Sequence, residues 1–309
     1  MSEQPQVPEA TFTSYYGRPI LKVTRWREPH LPAYLFLGEL SGAAAVLGAA
    51  AAAARRPAVA RAGRLIAAAA AYAGTGFLTA ELGRPERFAN MLRVAKPTSP
   101  MSVGSWLLAS HSGLATAAAA AELSGRLRGI GAAASAASAV TGPLLATYPG
   151  VLLANTAVPA WHSAARELPA LFAGGALTSV GAAGLAAWAW SGDLSHAGPA
   201  QRLAVLGAAL ESAAGFGLEH TLGVAGEPYR TGMGGYLLRG ARASTLLGTG
   251  AALLARRSRV AAAAAAALLV GGGLCAKFAV LRAGVASASD PKYVVATQGG
   301  ARDRGTERV

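Results

Sequence analysis

Cysteine is almost absent: the 309 residues hold one, Cys275, inside an apolar run near the C-terminus. A single thiol excludes an intrachain disulfide framework and any cysteine-ligated cluster built from this chain alone. Charge is scarce as well. Only 14% of residues are Asp, Glu, Lys or Arg, against roughly 25% in an ordinary soluble domain. There are five histidines, of which His30, His162 and His196 fall between apolar runs. His111 and a marginal His220 are left for a bundle interior, so a haem with two axial histidines has at most one candidate pair. The glycine-rich pieces "GMGG" and "GGG" lack the strand-to-helix context of a nucleotide loop, and no Ser, His and Asp set suits hydrolysis.

What the chain has is hydrophobic length. The runs 33–54, 65–80, 101–121, 130–155, 168–191, 203–218, 236–255 and 260–281 carry few or no charges. Each holds about 16–26 residues, the length a helix needs to cross a hydrocarbon core of ~30 Å. They predict an all-α integral membrane protein with about eight transmembrane helices and both termini on one side. Residues 1–32 are polar, carry Arg18, Lys22, Arg25 and Arg27, and lack the apolar core and cleavage site of a signal peptide, so the first run is expected to direct its own insertion. The net charge of +13 comes from basic residues between the runs, where lipid phosphates and the positive-inside rule account for them. Nucleic acid is not an expected partner.

The connections are unequal. The segments 55–64, 122–129, 192–202 and 256–259 are short and contain little except Arg, Gly, Ala and Ser. On the other side lie the N-terminal arm "FTSYYGRPILKVTRWREPHLP", the loop 83–100, "NTAVPAWHSAARELP" at 155–169, "GVAGEPYRTGMGGY" at 223–236 and the tail from 287. These carry most of the Trp, Tyr, Pro and His outside the apolar runs. Trp26, Trp161, Tyr15 and Tyr16 fit an interfacial aromatic belt. Five such loops on one face fit a docked protein partner better, with aromatic and arginine side chains as anchors. The loop-rich face is expected to be cytoplasmic.

Acids inside apolar runs are costly and usually face a bundle interior or a water-filled cavity. The candidates are Glu39, Glu81, Glu211 and Glu219, with His111 alone in the third run. Glu81 and Glu219 also read as interfacial acids pairing with loop arginines, Glu39 as a shallow acid reached by water, and His111 as a hydrogen-bond partner of a neighbouring helix. Tyr148 stands in "ATYPG", where Pro149 removes a backbone donor from the run.

With these residues in place, four stretches resemble the NrfD/PsrC family, the integral membrane subunit of iron–sulfur molybdoenzyme complexes. They are "SYYGRPILK" at 14–22, "AYLFLGELSG" at 33–42, "LGRPERFANMLRVAKPTSPMSVGSW" at 82–106 and "TYPGVLLANTAVPAW" at 147–161. The first and third are similar to the form associated with formate dehydrogenases. The resemblance implies an arm at 1–32, a four-helix bundle at 33–160 with a quinone site, a second bundle at 161–282 and a polar tail at 283–309. It implies no haem or metal in this chain, a quinone cofactor such as menaquinone, and two partners: a four-cluster ferredoxin-like iron–sulfur subunit and a molybdenum or tungsten catalytic subunit. On this resemblance Tyr34, Tyr148, Asn155 and Trp106 would contact the quinone. Glu39 and Glu81 would relay protons, with His111 as a further donor. Tyr15, Tyr16, Arg18, Arg84, Arg87, Lys96, Trp161 and His162 would form the docking surface in the cytoplasmic (inner) membrane of a bacterium. Where the usual pattern has paired glycines, "ELSG" places Glu39. Three other readings remain open from the residues alone: a proton-coupled transporter, a haem b-type cytochrome subunit and a purely structural anchor.

Overall fold

The computed structural model describes residues 20–21, 26, 28–82, 84, 86–192 and 197–297, with the backbone alone for residues 87 and 89. Among the described residues all regular structure is helical. Eight helices have 23 residues or more: α1 (His30–Ala53), α2 (Pro57–Glu81), α4 (Pro100–Ser124), α5 (Arg128–Ala154), α7 (Glu167–Ser191), α8 (Ala197–His220), α10 (Gly232–Leu254) and α11 (Arg259–Ser289). Three single-turn pieces, α3 (Arg87–Met91), α6 (Pro159–His162) and α9 (Glu227–Arg230), lie in the connections.

Local chemistry sets the helix ends. Pro57 and Pro100 start α2 and α4, where a missing N–H costs nothing. The Ser99 and Ser258 hydroxyls accept the N–H groups of Ser102 and Ala261 at 3.4 and 3.2 Å. Gly125 and Gly192 end α4 and α7 in the left-handed conformation.

Four helices, α1, α5, α7 and α11, are long and apolar enough to cross a membrane by length and composition. The other four match them in length but are diluted by alanine, glycine and arginine, so the expectation of eight spans rests on those four. Several sequence boundaries also move. Arg61 and Arg64, assigned above to a turn, lie inside α2, because a cation in the first two turns does not stop a helix that proline has started. Helix α1 begins at His30 and α11 continues to Ser289.

Helices α1, α2, α4 and α5 pack on one another, as do α7, α8, α10 and α11. The seam between the two bundles is made by α1 and α5 against α7, with α1 also touching α11. Small residues permit the closest approach: a Cβ on Gly42 of α1 or Gly142 of α5 would fall on the other's carbonyl. Apolar bulk is concentrated at the end carrying the long connections, in a cluster that includes Trp161, Leu168, Leu171, Phe172 and Tyr229. The two clusters elsewhere are mostly alanine. A firm core therefore underlies the elaborate loops, while the opposite end closes with turns such as 54–56 and 125–127.

Candidate functional site

At the loop-rich end of the first bundle, His30 and Tyr34 lie one turn apart on α1 and so share a face. His30 Nδ1 stands 3.7 Å from Glu81 Oε2 at the end of α2, and its ring tilts against Phe77 at 6.2 Å. Within this cluster His30 Nδ1 is buried and has no hydrogen-bond partner. The Tyr34 ring packs over Gly74 of α2, 3.8 Å from where a Cβ would be. Tyr148 of α5 approaches from the other side, close enough to interact electrostatically with the Tyr34 phenol. Its hydroxyl donates to the Pro100 carbonyl at the start of α4. Gly104, one turn further on, leaves the space its ring fills, since a Cβ there would fall on the Tyr148 ring.

Three of the sequence candidates therefore come together or adjoin: Tyr34, Tyr148 and Glu81. The others do not. Asn155 caps the C-terminus of α5, exposed, with its side-chain amide donating to Val151 O at 2.9 Å. Trp106 is 42% exposed on the outside of α4, its indole N–H 3.4 Å from Val94 O.

Glu39 and His111 belong to separate, deeper groups. Glu39 is nine residues into α1, roughly 14 Å below its start, and faces away from Tyr34 into the seam. There its Oε1 lies 2.8 Å from Nζ of Lys277 on α11, both side chains having no exposure. The Lys277 ammonium also sits 4.7 Å from the Phe172 ring centre on α7. His111 on α4 is wholly buried and bridges two helices: Nε2 is 3.0 Å from Ser41 Oγ and Nδ1 is 2.9 Å from Thr141 Oγ1. Ser41 spends its one hydrogen on Ala67 O at 2.7 Å, so it accepts from His111 Nε2–H. His111 thus hydrogen-bonds two neighbouring helices, through the side chains of Ser41 and Thr141 and the backbone of Ser138.

The proposed docking residues divide in the same way. Arg84, Lys96 and His162 are exposed. Tyr15, Tyr16 and Arg18 lie outside the described residues, as does the Arg87 side chain. Trp161 is a correction. It is fully buried, donates its indole N–H to Val280 O at 2.8 Å, stacks on Trp26 at 5.1 Å and fills the space left by Gly284. It ties the 155–166 connection to α11 and offers no surface to a partner. Beside it Tyr229 is buried with its hydroxyl 3.3 Å from Ala160 O, and burial pushes that phenol's pKa up. The tail is fastened nearby, where Lys292 Nζ meets Glu227 Oε2 at 2.7 Å and the hydrogen bond raises the lysine's pKa.

Sequence reasoning missed three members of these groups. His30 was assigned to the arm because it precedes the apolar run. Arg242, which pairs with Glu219 at 2.9 Å, went unremarked. Lys277 was absorbed into an apolar run, although a lone cation there requires a counter-charge from another helix, and Glu39 was waiting for one. Among the described residues no group of three or more His, Cys, Asp or Glu side chains could hold a metal ion.

A search of the curated proteins finds no significant match to this chain. The family model described as polysulphide reductase, NrfD, matches residues 24–211. That span is more than half of the chain and contains α1, α2, α4, α5, α7 and most of α8, hence the whole first bundle and the Tyr34–Tyr148 cluster. On that match, and with its apolar helices, this chain is a multi-pass membrane protein of the NrfD (polysulphide reductase) family, which generally supplies the membrane subunit of iron–sulfur molybdoenzyme complexes.

Proposed function

We propose that the chain is the quinone-reactive subunit of such a complex, closest to the formate dehydrogenase-associated form, with all eight long helices crossing the inner membrane of a bacterium. The observation that carries this reading is the meeting of Tyr34 and Tyr148, from two helices of the first bundle, beside His30 and Glu81 at the loop-rich end. A quinone such as menaquinone, when bound, takes up or gives back two electrons and two protons. Two phenols fit its carbonyls, and His30 Nδ1, beside Glu81, adds a buried polar atom that makes no hydrogen bond.

Tyr34 is four residues from the start of α1 and Tyr148 six from the end of α5, so both lie within roughly 10 Å of the loop-rich end. Tyr34 and Tyr148 would hold the head group by donating hydrogen bonds, and Tyr148 would turn its hydroxyl away from Pro100 O to do so. Glu81, next to His30, would pass protons between the site and the aqueous face, since quinone chemistry needs a titratable group within reach of water. The surface above, with Arg84, Lys96, His162 and the arm, would receive a four-cluster ferredoxin-like subunit that exchanges electrons with a molybdenum or tungsten enzyme. The loop-rich face is read as cytoplasmic because it carries the larger total of Lys and Arg.

Purification in mild detergent through a tag on this chain, followed by iron, molybdenum and tungsten analysis, tests the assignment. Iron with one of the heavier metals, carried by co-purifying polypeptides, is the expected result. Recovery of the chain from its own membranes with no metal-bearing polypeptide attached would overturn it.

A further inference from the structure

The seam between the bundles holds a group of charges that the quinone reading does not use. Glu39 of α1, Lys277 of α11 and Glu211 of α8 are 1%, 0% and 5% exposed. Glu39 and Lys277 make the 2.8 Å contact described above, and Glu211 interacts electrostatically with the same lysine. Phe172 and Gly175 of α7 close the remaining side, with a Cβ on Gly175 falling 2.6 Å from Glu39 Oε2 and 2.9 Å from Lys277 Nζ. Among the described residues, the titratable and charged groups facing this centre are Glu39, Lys277 and Glu211, with Arg242 of α10 beyond Glu211. Arg242 is already paired with Glu219.

Charge balance then decides the protonation of the group. Two ionised carboxylates against one ammonium would leave a net negative charge with no exposure, at the depth of a membrane core, where an uncompensated ion costs several kcal/mol. One proton removes it. Thr178, whose hydroxyl donates to Gly174 O at 3.0 Å, also touches the Glu211 carboxyl. Both Glu39 oxygens, Glu211 Oε2 and Lys277 Nζ also lack hydrogen-bond partners of good geometry, which leaves capacity for a mobile proton.

A route leads out. Glu211 lines a cavity of about 20 Å³ together with Ser212, Thr245 and Arg242, and ~10–15 Å³ suffices for one water. The Arg242 side chain is 31% exposed and hydrogen-bonded to Glu219, near the loop-rich end of α8. We propose that Glu39, Lys277 and Glu211 form a proton-binding site at the seam, which holds one proton and exchanges it through the Arg242-lined cavity. The site is independent of quinone and of any partner subunit, so it is tested on the purified chain alone.

The test is infrared spectroscopy of the chain in nanodiscs at neutral pH, reading the carbonyl band of a protonated, water-excluded carboxylic acid. One acid's worth of band is expected, shifting on transfer to D2O as its proton exchanges. Glu211→Gln and Glu39→Gln should each abolish it, because the carboxylate that remains ionises against Lys277. Lys277→Met should double it, while Glu219→Gln should leave it unchanged. A wild-type chain with no such band, or a band that survives both glutamine substitutions, would overturn the proposal. A band that does not shift in D2O would overturn the route.

Discussion

Replacing Trp161 by alanine is expected to destabilise the protein by about 3–5 kcal/mol, the range for deleting a buried tryptophan from a packed core. The indole has no exposure, lies on Gly284 and donates to Val280 O of α11 at 2.8 Å. Its removal leaves a void under the 155–166 connection and takes the stacking surface from Trp26. Trp161→Phe keeps most of the buried area and loses the N–H bond, so it should cost less than Trp161→Ala. Thermal unfolding in mild detergent reads the series, with exposed His162→Ala as the control that changes little. A small effect of Trp161→Ala would mean that the side chain is free to reach a partner after all.

Lys277→Ala is expected to cost a comparable amount, about 3–5 kcal/mol, because it opens a void in the seam and leaves Glu39 buried without its partner, neutralised only by taking up a proton. The loss should be relieved when Glu39 is removed too. A Glu39→Leu/Lys277→Met double variant replaces the pair by apolar groups of similar length and is expected to unfold near the wild-type temperature, since a buried ion pair adds little over well-packed apolar side chains. Strong destabilisation by the single variant with recovery in the double is the signature of the 2.8 Å contact. Equal stability of all three would mean that the two groups do not meet in the membrane-embedded protein.

Much of the architecture was legible because membrane helices advertise themselves by length. The contrast between plain turns and aromatic loops separated the two ends of the molecule, whereas the start of α2 at Pro57 was read as part of a turn. What the sequence could not supply was partnership across helices. Glu39 and Glu211 stood out as acids in apolar runs, yet nothing in their neighbourhoods pointed to Lys277, which comes from the last helix. Trp161 read as a surface anchor because it lies in a loop, and the slot left by Gly284 that buries it comes from a distant part of the chain. Glu39 was expected at the quinone. Its position on α1 instead turns it from the face of Tyr34 toward the second bundle, a matter of helical phase that the motif alone did not resolve. For Tyr34 and Tyr148 the resemblance supplied the pairing, and the fold brings the two rings to the same end of the first bundle.

Quinone reduction by the purified complex tests the central claim most directly. With the electron donor of the catalytic partner in excess, the rate with a soluble menaquinone analogue is compared with the rate of a dye that takes electrons from the partner subunits. Tyr148→Phe removes one donor to a carbonyl that gains charge during reduction, a loss worth about 10²-fold or more where such donors have been deleted. The account predicts that fall in quinone reduction with the dye rate unchanged. Equal quinone rates for wild type, Tyr34→Phe and Tyr148→Phe would contradict it and leave the chain as an anchor alone.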